Sequence, residues 1–154
     1  MKGIIHPGAH LVTPYQQGQL DSLCGLYALT NAIRVIYAPL HPLSGNASRS
    51  LFAAATKHLL SSTKTGVALH DGMTARGQHK LMRALRSAPI LAHRPPLSLQ
   101  VQKPTLKSDA DFEFFVANTV KSGAVLLVCL EGRVSHHTTI VGVAAQRRAI
   151  AESW

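Results

Sequence analysis

The side chains best equipped for covalent chemistry in this sequence are Cys24, the neighbouring pair His136 and His137, and Glu152. Cys24 lies in Gln19-Leu20-Asp21-Ser22-Leu23-Cys24-Gly25-Leu26-Tyr27-Ala28-Leu29-Thr30-Asn31-Ala32-Ile33, a polar turn that runs into an apolar helix. Asp21 and Ser22 are both good N-cap residues, since each can accept a hydrogen bond from a first-turn N–H that has no partner inside the helix. The spacing therefore predicts a cysteine in the first turn, at the positive end of the helix dipole, where thiolate is favoured over thiol. Such a cysteine is a nucleophile when a base lies within hydrogen-bond reach and a third group holds that base in one tautomer. A plain core thiol is the competing reading.

Nine histidines offer candidate bases. His6, His10, His41, His70 and His93 fall in loops and are expected to be exposed and inert. His136 and His137 open a run expected to be a strand, where a side chain is held rigidly and neighbours point to opposite faces. Glu152 lies sixteen residues beyond His136. That distance suits the neighbouring strand of a hairpin and would bring its carboxylate to the imidazole. Cys129, inside an apolar run, is expected to be structural. Asn31, polar on a buried helix, is expected to satisfy local backbone groups.

These residues need elements to position them. Residues 1–18, with Pro7, Gly8, Pro14 and Gly18, are expected to form an irregular arm. A helix over 23–37 would carry Leu26, Leu29, Ile33 and Ile36 on one stripe and Ala28, Ala32 and Val35 beside it, so it is buried on more than one face. Residues 39–46, with Pro39 and Pro42, form a loop. A second helix over 48–60 turns Leu51, Phe52, Ala55, Leu59 and Leu60 inward. Asp71-Gly72-Met73-Thr74 opens a third, to about Arg86, with Met73, Leu81, Met82 and Leu85 packed and Arg76, Lys80 and Arg83 in water. Residues 97–101 alternate with period two and predict a strand. A fourth helix over 109–121 has acids at its start, Lys121 at its end and Gly123 to terminate it. Residues 124–130 are apolar on both faces and predict a central strand. Glu131-Gly132-Arg133 is the turn to a strand over 136–143, and 147–154 can return beside it. Helices first and an antiparallel sheet last make this an α+β chain.

At 154 residues, 1–154 is most simply one domain. Two cysteines form no disulfide framework and suit a reducing, cytoplasmic setting. Residues 1–10 lack the apolar core of a signal peptide, and the apolar run at 124–130 is too short to span a bilayer. The formal net charge of +9 points to an acidic protein partner or to a solvated basic face. Aromatic residues are few and no nucleic-acid-reading motif accompanies the charge, which argues against nucleic acid.

The combination resembles the papain-like cysteine peptidases: a cysteine at a helix N-terminus, a glutamine before it, a histidine opening a late strand and a carboxylate on the next. Ser135-His136-His137-Thr138-Thr139-Ile140-Val141-Gly142-Val143 is similar to the histidine strand of that superfamily. Glu152-Ser153-Trp154 resembles the Asn-Ser-Trp of papain at the same separation from the histidine. Gln19-Leu20-Asp21-Ser22-Leu23-Cys24 is similar to the Josephin deubiquitinases. His70-Asp71-Gly72-Met73-Thr74, running on to Leu85, resembles the opened helix of the bacteriocin-processing, C39-like peptidases. The resemblance covers most of residues 19–154. It implies a papain-like fold with the cysteine helix packed on a C-terminal antiparallel sheet. It also implies a hydrolase acting on protein or peptide through a thioester on Cys24, with His136 as base and no cofactor or metal. Glu152 would orient His136, standing where the family usually has Asn or Asp. Gln19 would donate to the oxyanion beside the Cys24 backbone N–H. Gln19 is one residue closer to the cysteine than in papain, which makes Gln17 its rival. The same scaffold also hosts acyltransferases, transglutaminases and deamidases. A binding module that meets an acidic partner through its basic face is the reading from another class.

Overall fold

The computed structural model describes residues 3–16, 23–61, 73–130 and 136–143. Helix α1 (Cys24–Tyr37) is its centre, with Leu26, Leu29, Thr30 and Ile33 without solvent exposure and Ala28, Ala32 and Val35 also buried. The apolar positions cover more than one stripe of this helix, so neighbours are needed on several sides. Helix α2 (Gly45–Leu60) supplies Leu51, Ala55 and Leu59, and α3 (Ala75–Leu85) supplies Leu81, Met82 and Leu85, with Met73 just before it. Arg76, Lys80 and Arg83 on the outer face of α3 are exposed, as the amphipathic spacing requires.

Both caps obey simple chemistry. The Ser44 hydroxyl accepts from the Ala47 N–H at 3.1 Å, which starts α2 three residues earlier than its apolar pattern does. Thr74 Oγ1 accepts from the Gly77 N–H at 3.1 Å and starts α3. Helix α4 (Asp109–Lys121) has the expected bounds, with Ser108 capping it and Gly123 just past its end at φ +78°. That left-handed conformation is open to glycine without a Cβ penalty.

Strand β1 (Ile4–Ile5) pairs antiparallel with β4 (Gly142–Val143), and β2 (Leu126–Leu130) pairs antiparallel with β3 (His136–Ile140). The register sets Cys129 opposite His137 and Leu130 opposite His136. Helix α1 lies on β3, where Thr139 Oγ1 donates to the Ala28 carbonyl at 2.7 Å. Helix α4 packs on β1, β2 and β4. The architecture is thus mixed α+β with antiparallel pairing.

Several expectations are corrected. The 97–101 stretch is extended without a strand partner; Leu97 and Leu99 turn to the core and Ser98 and Gln100 to solvent. Period-two burial therefore reports an extended backbone there, not a ladder. Among the described residues β2 pairs only with β3, and helices α1 and α4 pack on it. Leu60 is exposed. The arm is not wholly irregular, because it contains β1 and a 3₁₀ turn (Pro7–Leu11). His6 within it is 3 % exposed, against expectation. Its Nδ1 accepts from the Gly8 N–H at 3.1 Å, and its Nε2 meets the Gly123 carbonyl at 3.2 Å. A loop histidine is buried here because two backbone groups of tight turns need its nitrogens. The expected turn at 131–133 and strand at 147–154 lie outside the described residues.

At the far end of α1, the buried Tyr37 hydroxyl donates to the Pro95 carbonyl at 2.6 Å. Burial raises its pKa above 10.0, opposed by the nearby Arg94 cation. A raised folded-state pKa means that the phenol's contribution is complete below pH ~10 and is lost as pH climbs through the folded value. Tyr37→Phe is expected to cost about 1 kcal/mol near neutral pH. Urea denaturation should show that gap narrowing above pH ~10; a pH-independent gap would contradict this account.

Candidate active site

Cys24 is the first residue of α1 and is 6 % exposed. Leu23 occupies the N-cap position and contributes no side-chain hydrogen bond. Asp21 and Ser22, the expected caps, lie outside the described residues. The next residue, Gly25, is required by close approach: a Cβ there would stand 3.3 Å from Met73 Cβ and 3.4 Å from its sulfur. Met73, at the entrance to α3, is therefore packed directly against the first turn of the cysteine helix.

The Cys24 sulfur accepts a hydrogen bond from the His137 main-chain N–H at 3.4 Å. Cys24 thus sits against the backbone of β3. Across the ladder His137 stands opposite Cys129.

The two histidines divide as strand alternation demands. His136 is exposed, whereas His137 is 2 % exposed. The His137 ring is held at both nitrogens, with Nδ1 3.1 Å from Gln78 Oε1 and Nε2 on the Met73 carbonyl. A ring so engaged cannot take a proton from the thiol without giving up one of these contacts. The sulfur's hydrogen bond is to the strand backbone and not to the His136 ring, yet His136 and Cys24 line one groove.

This groove encloses about 340 Å³ between the arm, α1 and β3. Pro14 and Tyr15 form its outer wall, Tyr27 and Asn31 one side, and His136 and Thr138 the other. Asn31 holds the arm in place. Its amide donates to the Tyr15 carbonyl and accepts from the Tyr15 N–H, both at 2.9 Å. Asn31 therefore satisfies backbone, as expected, but the backbone of a segment sixteen residues away. One turn on, Arg34 donates to the Thr13 carbonyl at 2.8 Å, its guanidinium 4.2 Å from the Tyr15 ring centre. A larger hollow of about 680 Å³ lies between α4 and residues 102–107, but no cysteine or histidine lines it.

Gln19, Gln17 and Glu152 lie outside the described residues. Sequence reasoning missed Gln78 and Met73 as neighbours of the histidine strand. Gln78 had a readable signal: with Leu81, Met82 and Leu85 it completes the i, i+3, i+4, i+7 apolar stripe of α3, a polar residue on a buried face. Cys129 is half-buried on β2, and neither cysteine is in a disulfide. No protein-family model, curated protein or solved structure matches the chain.

Replacing Asn31 with Leu removes both bonds to Tyr15. A loss of about 1–2 kcal/mol is expected, with faster hydrogen exchange at the Tyr15 amide. Undiminished protection there would show that the arm is anchored by other means.

Proposed function

We propose that this chain is a cysteine hydrolase, a peptidase or isopeptidase of papain-like type. The observation that carries this reading is the meeting of Cys24, at the start of α1, with the His136–His137 peptide of β3, in a groove that His136 also lines. Cys24 is the nucleophile and His136 the base. Its ring is exposed and lines the same groove as the sulfur, and catalytic hydrogen bonds commonly tighten only when substrate is bound. The clamped ring of His137 argues against it as the base.

The chemistry follows from these roles. The Cys24 thiolate attacks the scissile carbonyl carbon, and the tetrahedral intermediate collapses with cleavage of the C–N bond. The proton that His136 took from the thiol goes to the leaving amine. Water then attacks the thioester, giving its proton to His136, which returns it to the departing Cys24 sulfur as the carboxylic acid leaves. The Cys24 backbone N–H at the start of α1, with Gln19 or Gln17 beside it, would meet the oxyanion. Glu152 would orient the His136 ring.

The exposed Arg76, Lys80, Arg83 and Arg86 favour a second reading, in which the chain binds an acidic protein partner. No described helix is long and apolar enough to cross a membrane. The cysteine separates the two readings. Electrophilic peptide and ubiquitin-like probes are expected to form an adduct at Cys24, located by peptide mass mapping, and none with Cys24→Ala. His136→Ala should slow adduct formation about 100-fold. No adduct with any probe, together with partner binding that survives Cys24→Ala, would replace the hydrolase by the binding module.

Iodoacetamide gives a check that needs no substrate. At about pH 6, Cys24 is expected to be alkylated faster than Cys129, whose apolar strand disfavours the thiolate. Equal slow labelling at both positions would return Cys24 to the role of a core thiol.

A further inference from the structure

Gln78 has no part in the chemistry just described, yet it is buried against the strand that carries the histidines. It is 6 % exposed, and its amide meets His137 Nδ1 at 3.1 Å. On the other side of that ring the partner of Nε2 is the Met73 carbonyl. A carbonyl can only accept, so Nε2 carries a ring hydrogen, and in the neutral imidazole Nδ1 then offers a lone pair. The group that suits a lone pair is an N–H. With the amide oxygen turned towards Nδ1, two acceptors face one another and the Gln78 Nε2 is buried without a partner. Turning the amide over gives the Gln78 Nε2 that lone pair as its acceptor and ends the facing of two acceptors.

We propose that Gln78 is a positioning residue that donates its Nε2–H to His137 Nδ1, fixes the ring hydrogen on Nε2, and thereby sets the His137 main-chain N–H on the Cys24 sulfur. The ring is the rigid link between the two. Its Nε2–H ties β3 to Met73, and Met73 fills the space beside Gly25 at the start of the cysteine helix. Three elements, the starts of α1 and α3 and the first half of β3, are thus registered against one another around one imidazole. Hydrogen-bond geometry is steep in distance and angle, so a small shift of β3 would weaken the bond to sulfur. The importance of that bond for catalysis rests on Cys24 being the nucleophile; the ring hydrogen's location does not.

The test joins a spectroscopic readout to a reactivity readout on the full chain. Long-range ¹H–¹⁵N correlation spectra of the histidine rings, with His137 assigned by comparison with His137→Gln, report which nitrogen bears the hydrogen. The expected result is a protonated Nε2 and a bare Nδ1. In Gln78→Glu, where an ionised carboxylate can only accept, a hydrogen should appear on Nδ1. In Gln78→Leu, iodoacetamide labelling of Cys24 relative to Cys129 in the same molecule should fall about tenfold, as expected for one weakened hydrogen bond to a charged sulfur. Gln78→Asn, which keeps the N–H, should restore part of the rate. A hydrogen on Nδ1 in the unaltered chain, or an unchanged labelling ratio in Gln78→Leu, would overturn the proposal. Should Gln78→Leu fail to fold, the spectra of the unaltered chain and of Gln78→Glu decide it alone. Failure of every peptide probe to label Cys24 would remove the hydrolase reading and leave the ring spectra to decide Gln78 independently.

Discussion

The seating of α1 on β3 is the constraint on which the rest of this structure depends. A helix that begins with a buried thiol must bring that thiol to something polar, and here it is the His137 backbone N–H. The helix cannot slide to relieve a poor fit. Leu26, Leu29 and Ile33 are fully enclosed by α2 and α3, and the Thr139 hydroxyl fastens its second turn to β3. Close-packed interiors transmit small displacements instead of absorbing them. Met73 makes the point at atomic scale, because the space beside the cysteine admits only a glycine at position 25 without adjustment.

Around this seat, segments without regular structure are ordered by side chains that bond to distant backbone. Asn31 and Arg34 reach Tyr15 and Thr13, His6 reaches Gly123, Tyr37 reaches Pro95, and Arg94 reaches Pro42. The described strands are short and pair only two by two. Many backbone groups therefore have no ladder partner, and burying them unpaired would be costly. The same economy shapes the groove: its outer wall is an extended arm, and an asparagine amide on α1 gives that arm the two hydrogen bonds a neighbouring strand would have given.

The helices were legible in the sequence because their causes are local. Thr74 and Ser108 are hydroxyl caps at the right offset, Gly123 accepts a positive φ, and the 3.6-residue periodicity of α1 and α3 marks what is buried. The position of Cys24 at a helix start and the opening of a strand at His136 came from the same local rules. So did the exposed arginines and lysines of α3, since a helix buried on one face must leave the other in water.

What only the tertiary structure decided is pairing, because nothing in a strand's own residues names its neighbour. Residues 97–101 alternate like a strand and are in no ladder; 124–130 supplies a strand that pairs, among the described residues, with β3; the arm, with no strand pattern, contributes β1. The histidine pair shows the same limit at the site. Alternation requires that one of His136 and His137 face the helices, but the pleat has two faces and the sequence does not choose between them. The choice fell to the bonds that Met73 and Gln78 could offer, two residues 64 and 59 positions away in the chain. Those bonds bury His137 and leave His136 in the groove beside the cysteine.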